Sequence, residues 1–129
     1  MNSPASRAAT ILVVDDDALI NMNAVDMLEQ LGHTAIEAYS GAEALKILAS
    51  DRPIDLLITD YAMPGMNGVE LATQARQLRP GLAVVLATGY SELPSGEQID
   101  LPRLNKPYQQ ADLANHLMLL LNEQAPAAS

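Results

Sequence analysis

The chain has no cysteine, no phenylalanine and no tryptophan. Without cysteine, disulfides and thiolate metal sites are excluded, and the redox compartment stays undetermined. Without Phe or Trp, and with only four Tyr, a stacking platform for nucleic-acid bases is missing. Positive charge is scarce too: seven Lys and Arg stand against sixteen Asp and Glu, a formal charge of −9. That balance repels phosphate backbones and argues against DNA or RNA as a partner. No apolar run approaches the roughly 20 residues that cross a bilayer, and the opening Met1-Asn2-Ser3-Pro4-Ala5-Ser6-Arg7 lacks a signal-peptide core. A cytoplasmic protein with no membrane partner is the expectation.

What is present is Leu, Ile, Val, Met and Ala in short, regular groups. The 129 residues suit one compact domain. Residues 10–121 are expected to form it, with flexible tails at 1–9 and 122–129. Continuous apolar runs at Thr10–Val14, Thr34–Tyr39, Ile54–Thr59 and Leu82–Ala87 read as strands, and Leu104-Asn105 as the core of a short fifth. Helical spacing fills the gaps. Ile20, Ala24, Met27, Leu28 and Leu31 share one face of a helix over 17–31, and Gly32 is a plausible stop after it. Ser40 and Glu43 have capping-box spacing and open a helix carrying Leu45 and Leu48. Asn67 and Glu70 cap another, with Leu71, Ala75 and Leu78 at i, i+4 and i+7, ended by Pro80-Gly81. Asp112–Leu121 is the last, with Leu113, Leu117, Leu120 and Leu121 facing inward. Strands without polar alternation are covered on both faces, so the expected fold is α/β, a parallel five-stranded sheet between helical layers. The segment 91–102 fits poorly: two prolines and a glycine leave room for a short or irregular fourth helix at most.

Polar residues then fall where chemistry is expected. In open α/β sheets the ligand site lies beyond the C-terminal strand ends. Asp15 and Asp16 follow the first strand, Asp60 the third, Thr88 the fourth and Lys106 the fifth. If these strands are neighbours, three acids and one amine meet at one sheet edge. Such a cluster is costly without a cation, and with a divalent cation it can hold a phosphoryl group.

Four motifs in this order resemble the receiver domains of bacterial two-component response regulators. They are Val13-Val14-Asp15-Asp16, Ile58-Thr59-Asp60-Tyr61-Ala62-Met63-Pro64-Gly65-Met66-Asn67-Gly68, Ala87-Thr88-Gly89 and Lys106-Pro107. The resemblance runs from about residue 10 to residue 121. Leu86-Ala87-Thr88-Gly89-Tyr90 looks like the subgroup with a Phe-Ala-Thr-Gly motif, with Leu86 in place of the Phe. It implies a flavodoxin-like (βα)5 three-layer sandwich of strand order 2-1-3-4-5.

The resemblance also implies roles. Asp60 would be the phosphoacceptor. Asp15, Asp16, Asp60 and the backbone carbonyl of Ala62 would bind Mg²⁺, or Mn²⁺ in its place. Lys106 and Thr88 would contact phosphoryl oxygens, with Gly89 and Ala62 lining the phosphate site and Gly89 letting a backbone N–H approach. Thr88 would also be the switching residue. Three residues before Lys106, where the family often carries an aromatic switch residue, stands Arg103. Tyr90 or the 91–102 loop would replace it. The implied donor is a histidine kinase or a histidine phosphotransfer protein, and the implied output is docking to a downstream protein. The protein would be a signalling switch and not an enzyme with a turnover substrate.

Other readings stay open on the residues alone. The chain could be the receiver segment of a hybrid histidine kinase, or a receiver-like interaction module that is not phosphorylated. Asp15-x-Asp17 also fits, poorly, a metal-dependent phosphohydrolase. Asp17 reads as an ordinary helix N-terminal acid. His33 and His116 lack metal-ligand spacing. Leu19 and Met22 fall off the core face of the first helix, as ordinary exposed apolar area or as a kinase docking surface. Met118 and Leu119 do so on the last helix, as packing residues or a dimer face around the fifth strand.

Overall fold

The computed structural model describes residues 9–89, 101–106 and 108–124, the last four by backbone alone. Five strands form one sheet in the order β2-β1-β3-β4-β5. They are β1 (Thr10–Val14), β2 (Thr34–Ala38), β3 (Leu56–Asp60), β4 (Ala83–Thr88) and β5 (Arg103–Asn105). Every pairing is parallel, and the register sets Val14 beside Thr59 and Asp60 beside Ala87. Four helices occur among the described residues: α1 (Ala18–Gln30), α2 (Gly41–Ala49), α3 (Gly68–Leu78) and α4 (Gln110–Gln124). None is long and apolar enough to cross a membrane.

Alternation along the strands makes two cores. Ile11, Val13, Leu56, Ile58, Val85 and Leu104 face Ala24 and Leu28 of α1 and Leu113 and Leu117 of α4. Leu12, Val14, Leu57 and Val84 face Ala44 and Leu48 of α2 and Leu71, Ala72 and Ala75 of α3. β1, β3 and β4 bury side chains on both faces, which is why they read as unbroken apolar runs. Aliphatic residues fill both layers, so the missing Phe and Trp leave no gap that the fold needs them for. This is the parallel α/β sandwich anticipated from the strand pattern, in the flavodoxin-like strand order that the resemblance implied.

Caps end the helices where the sequence places them. The Asn67 side chain accepts from the Glu70 N–H and the Glu70 side chain from the Asn67 N–H, both at 2.9 Å. Ser40 accepts from the Glu43 N–H at 3.1 Å, but the Glu43 carboxylate reaches the Tyr39 N–H instead of completing the box. Gly32 stops α1 with φ +95°, a left-handed conformation that glycine adopts without strain.

Several boundaries move. Ala9, assigned to the tail, is buried, and its N–H donates to His33 Nδ1 at 3.0 Å. β3 starts at Leu56 and not Ile54, because Asp55 is spent on β1: its N–H donates to the Thr10 carbonyl and its carboxylate accepts the Thr10 N–H, both at 2.8 Å. Asp60 and Thr88 are the last residues of their strands. α4 starts two residues before Asp112 and continues to Gln124, past the expected end at 121, since Asn, Glu and Gln carry no helix-breaking feature. Leu78 is 47% exposed. Leu78 shares the face of the fully buried Leu71, about 20° away at 100° per residue, but it is the last residue of α3. It lines a groove with Leu45 and Ala49 of α2 instead. The expected irregular fourth helix falls largely on residues 90–100, outside the described residues.

Candidate functional site

Four stretches of chain meet at the C-terminal edge of the sheet. β1 ends at Val14, and Asp15 continues its direction, its N–H donating to the Ala38 carbonyl at 3.2 Å. One Asp15 oxygen, Oδ1, accepts the Asp17 N–H at 2.9 Å. The other, Oδ2, lies 3.2 Å from Lys106 Nζ. Asp60 completes β3, and its Oδ1 accepts from the same ammonium at 2.8 Å. Asp15, Asp16 and Asp60 offer carboxylate oxygens that all lie within 4.8 Å of one another. Asp15 and Asp60 are buried, 3% and 4% exposed, while Asp16 faces solvent.

Backbone holds each group in place. Lys106 follows β5, and its N–H donates to the Thr88 carbonyl at 2.8 Å, which fixes the lysine beside β4. Thr59, fully buried, donates its hydroxyl to the Asp60 carbonyl at 3.0 Å, and the Tyr61 N–H donates to the Ala87 carbonyl at 2.9 Å. Gly68 opens α3 against the end of β3. A Cβ there would come within 2.5 Å of the Asp60 carbonyl and 2.6 Å of Leu86 Cδ1. Only glycine lets the helix start this close, so Gly68 sets the backbone of Asp60. Gly65, with φ +84°, serves the turn between them.

The charges are unbalanced. At an effective dielectric of about 20, two carboxylate charges about 5 Å apart repel by roughly 3 kcal/mol. One ammonium does not offset three such groups. Burial opposes the Lys106 charge, but the hydrogen bond to Asp60 and the fields of Asp15 and Asp60 outweigh it, and its pKa is raised. The donor set is all oxygen and all anionic. That suits a hard divalent cation and does not suit a soft thiophilic one.

Thr88, 3% exposed, ends β4 at the same edge. With Gly89, Asn105 and Lys106 it lines a cavity of about 350 Å³. Ala62 is exposed in the turn after β3. Arg103 is exposed on β5, and its carbonyl lies 2.8 Å from His116 Nε2. Tyr90 lies outside the described residues. The topology therefore gathers Asp15, Asp16, Asp60, Thr88, Gly89 and Lys106.

A family model described as the response regulator receiver domain matches residues 11–117. The chain belongs to this family. The receiver is 34% identical over 115 residues to the response regulator receiver protein CpdR of Brucella abortus (strain 2308), covering 86% of this chain and 95% of that one. It is 32% identical over 126 residues to the sensor kinase CckA of the same organism, covering 92% of this chain but 13% of the kinase. Among solved structures, a response regulator receiver protein from Sinorhizobium medicae WSM419 has 31% identity and a TM-score of 0.79, covering 90% of this receiver and 96% of that chain. The receiver domain from the hybrid histidine kinase CckA has 31% identity and a TM-score of 0.74, covering 87% and 98%.

Asp17 stays outside the receiver's acid cluster. Its carboxylate caps α1, accepting the Leu19 and Ile20 N–H groups at 3.0 and 3.2 Å. A phosphohydrolase that needs Asp15 and Asp17 together therefore loses its second acid. Among the described residues the rings of His33 and His116 hydrogen-bond to backbone groups, His116 to the Asp112 and Arg103 carbonyls. Two residues at the site went unread. Tyr108 lines a cavity of about 340 Å³ with Ile20, Asn23, Met27 and Lys106. Burial, then the Asp15 and Asp60 charges working against the Lys106 charge, push its hydroxyl up to about 12. Its position two residues past the lysine was the available signal. Asn21 is fully buried on α1, a polar residue set among apolar neighbours.

Proposed function

We propose that this receiver is a phosphoacceptor in histidine-to-aspartate signalling, with Asp60 as the acceptor and a divalent cation, Mg²⁺ or Mn²⁺, as cofactor. The observation that carries this reading is Lys106 Nζ placed 2.8 Å from Asp60 Oδ1 and 3.2 Å from Asp15 Oδ2, within a cluster of three carboxylates. A carboxylate oxygen of Asp60 attacks the phosphorus of a phosphohistidine on a histidine kinase or phosphotransfer protein. The P–N bond breaks, the electron pair returns to the imidazole, which takes up a proton, and a mixed acyl phosphate forms at Asp60. Asp15, Asp16, Asp60 and the Ala62 carbonyl would hold the cation, which offsets the negative charge of the phosphoryl oxygens. Lys106 stays a point charge for one phosphoryl oxygen, Thr88 donates its hydroxyl to another, and Gly89 lets a backbone N–H approach.

The output is a change in partner binding and not turnover of a substrate. Thr88 moves toward the phosphoryl group, and Tyr90 or the 91–102 loop follows in place of an aromatic residue at Arg103. Leu19 and Met22, 65% and 54% exposed beside the site on α1, suit a docking kinase or phosphotransfer protein. Met118 and Leu119 on α4, with β5, suit a downstream partner or a dimer. The acidic chain has no nucleic-acid or membrane role in this scheme, and its place of action is the cytoplasm.

Intact mass after treatment with acetyl phosphate and Mg²⁺ tests the reading. Wild type should gain one phosphoryl group and Asp60→Ala none. No gain in wild type would instead favour a receiver-like interaction module. A second reading, a receiver segment of a hybrid histidine kinase, is favoured by the likeness to CckA over 126 residues. It keeps the same chemistry. The lifetime of the phosphoryl group should be long, since the Ala62 side chain cannot orient water. Ala62→Asn should shorten it, read as decay of the phosphorylated mass.

A further inference from the structure

We propose that Asn21 is a positioning residue that sets the affinity of the acid cluster for its divalent cation. The proposal rests on the phosphoacceptor reading above. Asn21 lies on the inner face of α1, one turn after the Asp17 cap and in line with Ala24 and Leu28, and it is fully buried. Its Nδ2 is 2.9 Å from the Ala38 carbonyl, 3.2 Å from the Asp15 carbonyl and 3.5 Å from the Val13 carbonyl. All three neighbours are acceptors, so the amide must turn its NH₂ toward them. Its Oδ1 is buried and has no hydrogen-bond partner among the described residues.

That arrangement is poor for stability. An orphaned buried acceptor gives up its hydration without a replacement bond, and an apolar side chain here would extend the core stripe of α1. The amide therefore needs a local use, and its contacts define one. The Asp15 carbonyl belongs to the peptide that joins Asp15 to Asp16. The Asp15 N–H is already tied to the Ala38 carbonyl at 3.2 Å. With Asn21 bonded to both the Asp15 and Ala38 carbonyls, Asp15 is held at its N–H and its C=O to the end of β2. The orientation of the Asp15–Asp16 peptide is then fixed, and with it the angle at which the two carboxylates leave the chain. Among the described residues the Asn21 amide bonds to carbonyls and not to a carboxylate, and it acts through this turn.

The test compares wild type, Asn21→Leu and Asn21→Ser in the full chain. Mn²⁺ binding is read from the electron paramagnetic resonance signal of the free ion, with Mg²⁺ as competitor, and thermal melting is recorded in chelator. Wild type should bind Mn²⁺. N21L should bind it about tenfold or more weakly, while melting in chelator at or above the wild-type temperature. N21S keeps one donor and should fall between. An N21L affinity within about twofold of wild type overturns the proposal. So does a loss of stability in N21L with unchanged affinity of the folded fraction. Should N21L not fold, N21S decides, and wild-type affinity there overturns it. Absence of Mn²⁺ binding by wild type is a different failure, that of the phosphoacceptor reading itself.

Discussion

Asp55 and Asp60 stand five residues apart at opposite ends of the same segment, and the protein uses them in opposite ways. Asp55 is half-buried before β3, and its carboxylate accepts the Thr10 N–H, so its charge is spent on fastening one strand to the next. Asp60 is buried at the other end, and its carboxylate faces a lysine and two further acids. The N-terminal edge of the sheet satisfies backbone groups with side chains, and His33 does the same for Ala9. The C-terminal edge concentrates charge that the fold alone does not balance. A carboxylate type thus says little, and its strand end says much, because in a parallel sheet all C-terminal ends point one way.

Breaking the cluster should have the largest effect. Lys106→Met leaves Asp15 and Asp60 buried without their ammonium and should cost about 3 kcal/mol at neutral pH. Urea unfolding in chelator measures this, and added Mg²⁺ should return much of the loss. Gly68→Ala forces the start of α3 away from the Asp60 carbonyl and should cost about 2 kcal/mol and slow phosphorylation. Equal phosphorylation rates would show that Asp60 tolerates the shift. Asp55→Ala should cost about 1 kcal/mol with Mn²⁺ affinity unchanged, and a weakened affinity would erase the contrast between the two edges.

The smallest effect concerns pH. Burial lowers the His33 pKa below 6.5, and the ring must be neutral at Nδ1 to accept the Ala9 N–H. A depressed folded pKa means the contribution is present above 6.5 and is lost as pH falls through the folded value. The ring is partly solvated, so the slope should be shallow. His33→Gln should flatten the dependence of unfolding free energy on pH below 6.5. Lys106 has the opposite sign: its raised pKa gives a contribution present below 10.5 and lost as pH rises through the folded value.

Much of this was legible in the residues. β1, β3 and β4 announced themselves because burial on both faces removes polar alternation, and Asp15, Asp60, Thr88 and Lys106 followed from where those runs stop. The Asn67–Glu70 cap was readable because it is local. Asn21 was not, because its partners at Val13 and Ala38 are brought to it only by the sheet, and one amide in a helix has no periodic signature. Leu78 misled for a related reason. Spacing from the buried Leu71 placed it inward, but Leu78 closes α3 at its C-terminal end and lines a groove with α2 instead. Ala9 was lost to the tail because a small residue next to a polar segment carries no strand signal, and the partner of its N–H, His33, lies 24 residues away.

Lys106 meets Asp15 from 91 positions further along the chain, just after β5, the last strand among the described residues. On the ribosome, the acids are made long before the cation that faces them. A nascent chain that has reached β4 carries its carboxylates at a strand edge with no ammonium to join them. The cluster of acids and ammonium is thus incomplete until Lys106 has been made, and contacts of such long sequence separation form slowly. A chain cut short before Lys106 would hold Asp15 and Asp60 without the ammonium that joins them.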